Sequence, residues 1–185
     1  MNTEAEIFLQ KQTLREEIRL RRNYFIHDAG AEDFLLQIKK LCLDKYKVFA
    51  SYVPLSFEAD VSLLNEYLLQ EGKILGLPEV VANDKPLVFR RRQSGDAMVK
   101  GRLGIAVPVG EEVIPEVIFL PLEAFDLQGN RLGKGGGFYD RTLQALPNAL
   151  RIGVAFSAQE VSAVPVLAND EKLHIIVTEK ELRFI

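Results

Sequence analysis

An unbroken apolar run constrains this chain most. Val117-Ile-Phe-Leu-Pro121 carries no polar side chain. A strand wet on one face alternates apolar and polar residues, so a run without alternation has both faces covered, the habit of parallel strands lying under helices. Ile152–Phe156 and Leu173–Val177 read the same way, and a glycine-rich loop and a helical pattern over 137–146 lie between the first two runs. Val48–Val53, Ile74–Leu77 and Pro86–Phe89 are further strand candidates, and a helical pattern over 60–70 carries Val61, Leu64 and Leu68. Strands alternating with helices predict an α/β fold, with a mostly parallel central sheet covered by helices on both faces. The punctuated stretch over 85–108 is expected to add an antiparallel pair. At 185 residues, with no repeat or linker, the whole of 1–185 is read as one domain of the usual ~150-residue scale.

The amino-terminal segment supplies charge as well as structure. Over 3–25, Ile7, Leu14, Ile18 and Phe25 share one arc of a helix, taken at about 100° per residue. Lys11, Arg15, Arg19 and Arg22 fall beside that arc, a basic stripe bordering the core. A second helical pattern, Phe34, Leu35, Ile38, Leu41 and Cys42, predicts that Cys42 is a core residue. One cysteine and two histidines, His27 and His174, leave too few soft ligands for a disulfide or a structural zinc site. No apolar stretch reaches the ~18 residues of a membrane span and the start lacks a secretory pattern, so a cytoplasmic protein without membrane partners is expected. With 23 Lys+Arg against 26 Asp+Glu and a net charge of −3, no nucleic-acid partner is expected, and Arg90-Arg91-Arg92 reads as a solvated strand end.

The chemistry concentrates in Ala124-Phe-Asp-Leu-Gln-Gly-Asn-Arg-Leu-Gly-Lys-Gly-Gly-Gly-Phe-Tyr-Asp-Arg141. Gly133, Gly135, Gly136 and Gly137 free the backbone to present N–H groups to an anion, and the helix that follows adds its positive end. Arg131, Lys134 and Arg141 surround the same loop, so a phosphate group is the natural guest. Asp140 would repel bare phosphate but suits a magnesium ion bridging phosphate oxygens. The loop matches neither the Walker pattern nor the dinucleotide fingerprint.

At these residues the chain resembles the 5-formyltetrahydrofolate cyclo-ligases, also called 5,10-methenyltetrahydrofolate synthetases. Their pattern, roughly A-F-D-x-x-G-x-R-L-G-x-G-x-G-Y-Y-D, is met from Ala124 to Asp140 with Phe138 in place of the first Tyr. Lys11 and Arg15 resemble the family's K-x-x-x-R element, Glu58 its E-x-D-T glutamate, and Asp170 its second magnesium-linked aspartate. The resemblance implies ATP- and Mg2+-dependent conversion of 5-formyltetrahydrofolate to 5,10-methenyltetrahydrofolate with release of ADP and phosphate, through a phosphorylated formyl group. Lys11, Arg15, Arg131, Leu132, Gly133, Lys134, Gly135, Gly136, Gly137, Phe138 and Tyr139 would then contact ATP, with Lys134 and Arg131 acting in catalysis. Glu58, Phe125, Lys134, Gly136 and Tyr139 would contact the folate, and Asp140 and Asp170 would hold the metal.

Two departures stand out: Val107 replaces the glutamate of the family's Gly-Ile-x-Glu-Pro segment, and His174 replaces a customary aspartate. They support a second reading, a folate- and nucleotide-binding protein with weak turnover. A third is an unrelated nucleotide kinase or ATPase. Each site residue also has a plain structural role open to it: a solvated stripe for Lys11 and Arg15, a turn cap for Asp170, a helix-start charge for Glu58, a core ring for Tyr139. The histidines are read as structural, and the protein is expected to act as a monomer.

Overall fold

The computed structural model describes residues 3–22, 24–25 and 29–185; His27 lies outside them. Helix α1 spans Glu4–Arg22 and α2 Ala31–Ile38, followed by β1 Val48–Ala50, α3 Ser62–Gln70, β2 Ile74–Glu79 and β3 Val88–Arg92. Short strands β4 Met98–Lys100, β5 Ala106–Pro108 and β6 Glu112–Val113 lead to β7 Val117–Pro121. Then come β8 Ala124–Phe125, β9 Arg131–Leu132, α4 Phe138–Ala145, β10 Leu150–Val154, β11 Ile175–Val177 and β12 Leu182–Phe184.

Eight strands form one sheet in the order β12-β11-β10-β7-β1-β2-β3-β6. The four central pairings, among β11, β10, β7, β1 and β2, are parallel, and the outer ones, β11–β12, β2–β3 and β3–β6, are antiparallel. The apolar runs supply the middle of this sheet, where both faces are covered. Side chains alternate across it with the strand period of two. Phe49, Val117, Phe119, Ile152 and Val154 pack with α2 and α3, while Ala50, Ile118, Leu120 and Ile176 pack with Leu143 of α4. Phe49 and Phe119 stack with ring centroids 6.4 Å apart.

Helix α1 docks elsewhere. Ile18, fully buried, meets Ala124, Leu132 and Val164, so α1 leans on the β8–β9 hairpin rather than on the sheet. This placement corrects the picture of a stripe merely edging the core: Lys11 is itself buried, at 6% exposure. Cys42 is exposed, against expectation, because α2 stops at Ile38 and the helical spacing linking Cys42 to Phe34 ends with it. The Arg90–Arg92 run is largely paired internally, Arg90 with Glu79 at 2.7 Å and Arg91 with Glu111 at 2.8 Å. No helix among the described residues is long and apolar enough to cross a membrane.

Candidate active site

The carboxyl-terminal ends of the parallel strands open onto a cavity of about 400 Å³, the position at which α/β sheets hold ligands. Its walls are the amino-terminal half of α1, the 55–58 turn, the glycine loop with the start of α4, the 167–170 turn and the β4–β5 hairpin.

The glycine loop is braced from behind. Arg15 Nε donates to the Gly133 carbonyl at 2.8 Å, and Arg141 Nη2 donates to the Gly136 carbonyl at 2.9 Å. Arg141 also bonds the carbonyls of Asn83 and Lys85 and lies over the Phe138 ring, so its charge serves the loop's shape. Gly135 and Gly137 take φ of +103° and +66°, a region costly to any residue with a Cβ. With these carbonyls engaged, the N–H groups of Lys134, Gly135, Gly136 and Gly137 have no acceptor among the described residues. A run of unpaired N–H groups at the start of a helix is an anion-binding surface. Gly137 is the N-cap of α4.

Three cation–carboxylate pairs line the same cavity: Lys11 with Asp170, Arg131 with Asp140 at 2.7 Å, and Lys134 with Glu58 at 2.6 Å. Asp170 Oδ2 also accepts from Leu167 N at 2.6 Å, and Asp140 Oδ1 from Glu171 N at 3.1 Å. Asp140 Oδ2 and Asp170 Oδ1 have no hydrogen-bond partner among the described residues. Magnesium is commonly held by one or two carboxylates together with phosphate oxygens and water, so one spare oxygen from each aspartate fits such an ion. The buried Arg131 Nε also lacks a partner among the described residues. Burial and the neighbouring Arg19 hold the Arg15 guanidinium below its ordinary pKa.

Glu58 is far from an ordinary surface charge. Its side chain is 6% exposed, and its Oε2 accepts from Leu55 N at 2.9 Å, closing the 55–58 turn. Tyr139 lines the cavity nearby; burial, reinforced by the Glu58 charge, pushes its hydroxyl pKa up, so the group stays a proton donor. Burial first, then the Glu58 charge, also push the Tyr52 hydroxyl up, and it donates to the Ala59 carbonyl at 2.8 Å.

Two expected contacts are corrected. Phe125 and Leu132 do not line the cavity, since both point into apolar clusters at 0% and 1% exposure, where they anchor the β8–β9 hairpin. The other expected site residues, from Lys11 to Asp170, all border the cavity.

Sequence reading missed the residues that set the loop's position. Asp126, 1% exposed, accepts from Gln128 N at 3.0 Å, Asn130 N at 3.1 Å, Asn130 Nδ2 at 2.9 Å and Val164 N at 2.9 Å. Its place inside the matched A-F-D stretch was the available signal. Buried Glu123, facing Arg22 at 3.4 Å and Arg19 at 3.9 Å, ties α1 to the same hairpin.

A family model described as the 5-formyltetrahydrofolate cyclo-ligase family matches residues 8–179. The chain belongs to this family. Among relatives it is similar to the 5-formyltetrahydrofolate cyclo-ligase of Haemophilus influenzae, 33% identical over 178 residues, covering 89% of this chain and 92% of the relative. That of Escherichia coli K12 is 34% identical over 142 residues, covering 72% and 78%. The NMR structure of Aquifex aeolicus 5,10-methenyltetrahydrofolate synthetase aligns with a TM-score of 0.82 at 35% identity, covering 94% of this chain and 92% of that one. By family, the chain is an ATP-dependent ligase.

The departures differ in reach. In this cyclo-ligase family member Val107 is buried on the cavity wall. His174 lies outside the wall, where its Nδ1 accepts from Arg151 N at 3.2 Å.

Proposed function

We propose that this protein converts 5-formyltetrahydrofolate to 5,10-methenyltetrahydrofolate, consuming ATP and releasing ADP and phosphate. The observation that carries the reading is the 2.8 Å bond from Arg15 to Gly133. It draws the amino-terminal cations and the glycine loop to one cavity, 118 positions apart in sequence. Relatives with the family name and about a third of their residues in common support the same substrates.

In this reaction the terminal phosphoryl group of ATP passes to the formyl oxygen. The second folate nitrogen then attacks the activated carbon, its proton passes to the departing group, and the carbon–oxygen bond breaks as inorganic phosphate leaves. The nucleophile belongs to the substrate, so positioning and charge stabilisation are the main demands on the protein. The amides of Lys134–Gly137, with Lys11, Arg15, Arg131 and Lys134, would receive the triphosphate. Lys134, paired with Glu58, stands between the phosphate loop and the folate side, suited to follow charge onto the transferring group. Glu58 would accept hydrogen bonds from the pterin, and Tyr139 would donate one or pack against its ring. Asp140 and Asp170 would hold magnesium, whose charge offsets that of the phosphates. We further propose that 1–185 works as one domain.

The test is the absorbance of methenyltetrahydrofolate after adding ATP, magnesium and 5-formyltetrahydrofolate, with ADP measured in parallel. Equimolar product and ADP are expected. ADP release without folate would indicate an ATPase, and binding of both ligands without product would indicate a binder.

A further inference from the structure

Phe8 is a large apolar side chain left 60% exposed on the wall of the cavity. It has no aromatic or cation–π partner among the described residues. Nothing in the reaction as described above uses it, and its exposure gives it no part in the core. Its position on α1 gives it a direction. Phe8, Lys11 and Arg15 are spaced i, i+3 and i+7, so they share one helix face, and all three border the cavity.

That face is graded along the helix. Arg15 touches the glycine loop at Gly133, Lys11 one turn earlier bonds Asp170, and Phe8 lies about 10 Å before Arg15 at ~1.5 Å of rise per residue. An extended nucleotide has the same order: terminal phosphates, inner phosphates, then sugar and base. With its phosphate tail on the loop and the two cations, its base comes level with Phe8.

The facing wall suits a base as well. Because Lys11 bonds Asp170, the 167–170 turn is held against α1 beside Phe8. Leu167 offers an apolar surface to the cavity. Asn169 accepts from Gln144 Nε2 through its main-chain carbonyl at 3.0 Å, and its side-chain amide makes no hydrogen bond among the described residues. A carboxamide can donate and accept at once, the pairing that the N6/N7 edge of adenine offers.

We propose that Phe8 is the stacking platform for the nucleobase of the nucleotide, with Asn169 at the base's polar edge. The proposal rests on the ATP-dependent reading above and adds to it the residue that recognises the base. Aromatic stacking is tolerant of base identity, so Phe8 sets affinity, and Asn169 the preference for adenine over guanine.

The experiment measures calorimetric dissociation constants for a non-hydrolysable ATP analogue and for inorganic triphosphate, with magnesium present. Phe8→Ala should weaken the analogue about tenfold and leave triphosphate unchanged, while Phe8→Trp keeps the analogue tight. Asn169→Ala should narrow the gap between the ATP and GTP analogues. Equal weakening of analogue and triphosphate would overturn the proposal, since Phe8 would then act through Lys11 and Arg15. So would an unchanged analogue constant in Phe8→Ala, or a loss confined to 5-formyltetrahydrofolate. Wild-type protein that binds no nucleotide would instead overturn the ATP reading, and this proposal with it.

Discussion

Asp126 shows how much one side chain can set. Its carboxylate accepts four hydrogen bonds, from Gln128, Asn130 twice and Val164, and so shapes the turn that precedes the phosphate loop. Hydrogen bonds to a charged acceptor contribute about 1.5–3 kcal/mol each. Their loss is not additive, yet removing the acceptor strands the buried Val164 N–H. Asp126→Ala should therefore lower unfolding stability by about 3 kcal/mol or more, measured by urea denaturation. Asp126→Asn should recover part of that loss. An alanine variant as stable as the parent would show that the turn holds its shape without the carboxylate.

At the scale of elements, the start of the β10–β11 pairing carries its own pH response. His174 immediately precedes β11, and its neutral Nδ1 accepts from the Arg151 amide at 3.2 Å. Burial first, then the Arg151 charge, holds its pKa below the ordinary 6.5. The unfolded chain therefore takes up the proton first as pH falls. The histidine's contribution is complete above about pH 6.5 and is lost as pH drops toward the lower folded-state value. Urea midpoints of the parent should fall more between about pH 7 and about pH 5 than those of His174→Asn. Equal falls would show that other groups set the response.

The central elements were legible because their physics is local. β7 coincides with the run Val117–Pro121, and α4, Phe138–Ala145, lies within the expected 137–146. The short pieces were not legible. β8 and β9 have two residues each and exist through their pairing and the Asp126 turn, a long-range matter that periodicity does not report. Cys42 was misplaced for a related reason: helical spacing says which residues would share a face, but not where the helix stops. Phe125 and Leu132 sit in a motif that reads as a binding loop, yet the hairpin is covered on both faces, Phe125 packing into the cluster with α4 and Leu132 into the one with Ile18 of α1.

At the scale of the molecule, the site is an assembly of distant pieces. Ile18 packing on Leu132, Arg15 on Gly133 and Lys11 on Asp170 bring the first helix, the central loop and a carboxyl-terminal turn around one cavity. The glycines and cations could be picked out along the chain, but their meeting depends on α1 docking against the β8–β9 hairpin. Three ion pairs occupy the cavity, and phosphate oxygens would compete with the carboxylates for those cations.

Loop amides, backed by α1 cations, would receive the nucleotide's phosphates. Amide chemical shifts of 15N-labelled protein, followed while ATP and magnesium are added, test this most directly. The N–H signals of Lys134, Gly135, Gly136 and Gly137 should move furthest and saturate with the binding curve, and Arg15→Ala should weaken that curve about tenfold or more. Saturable shifts elsewhere, with these four amides still, would contradict the account.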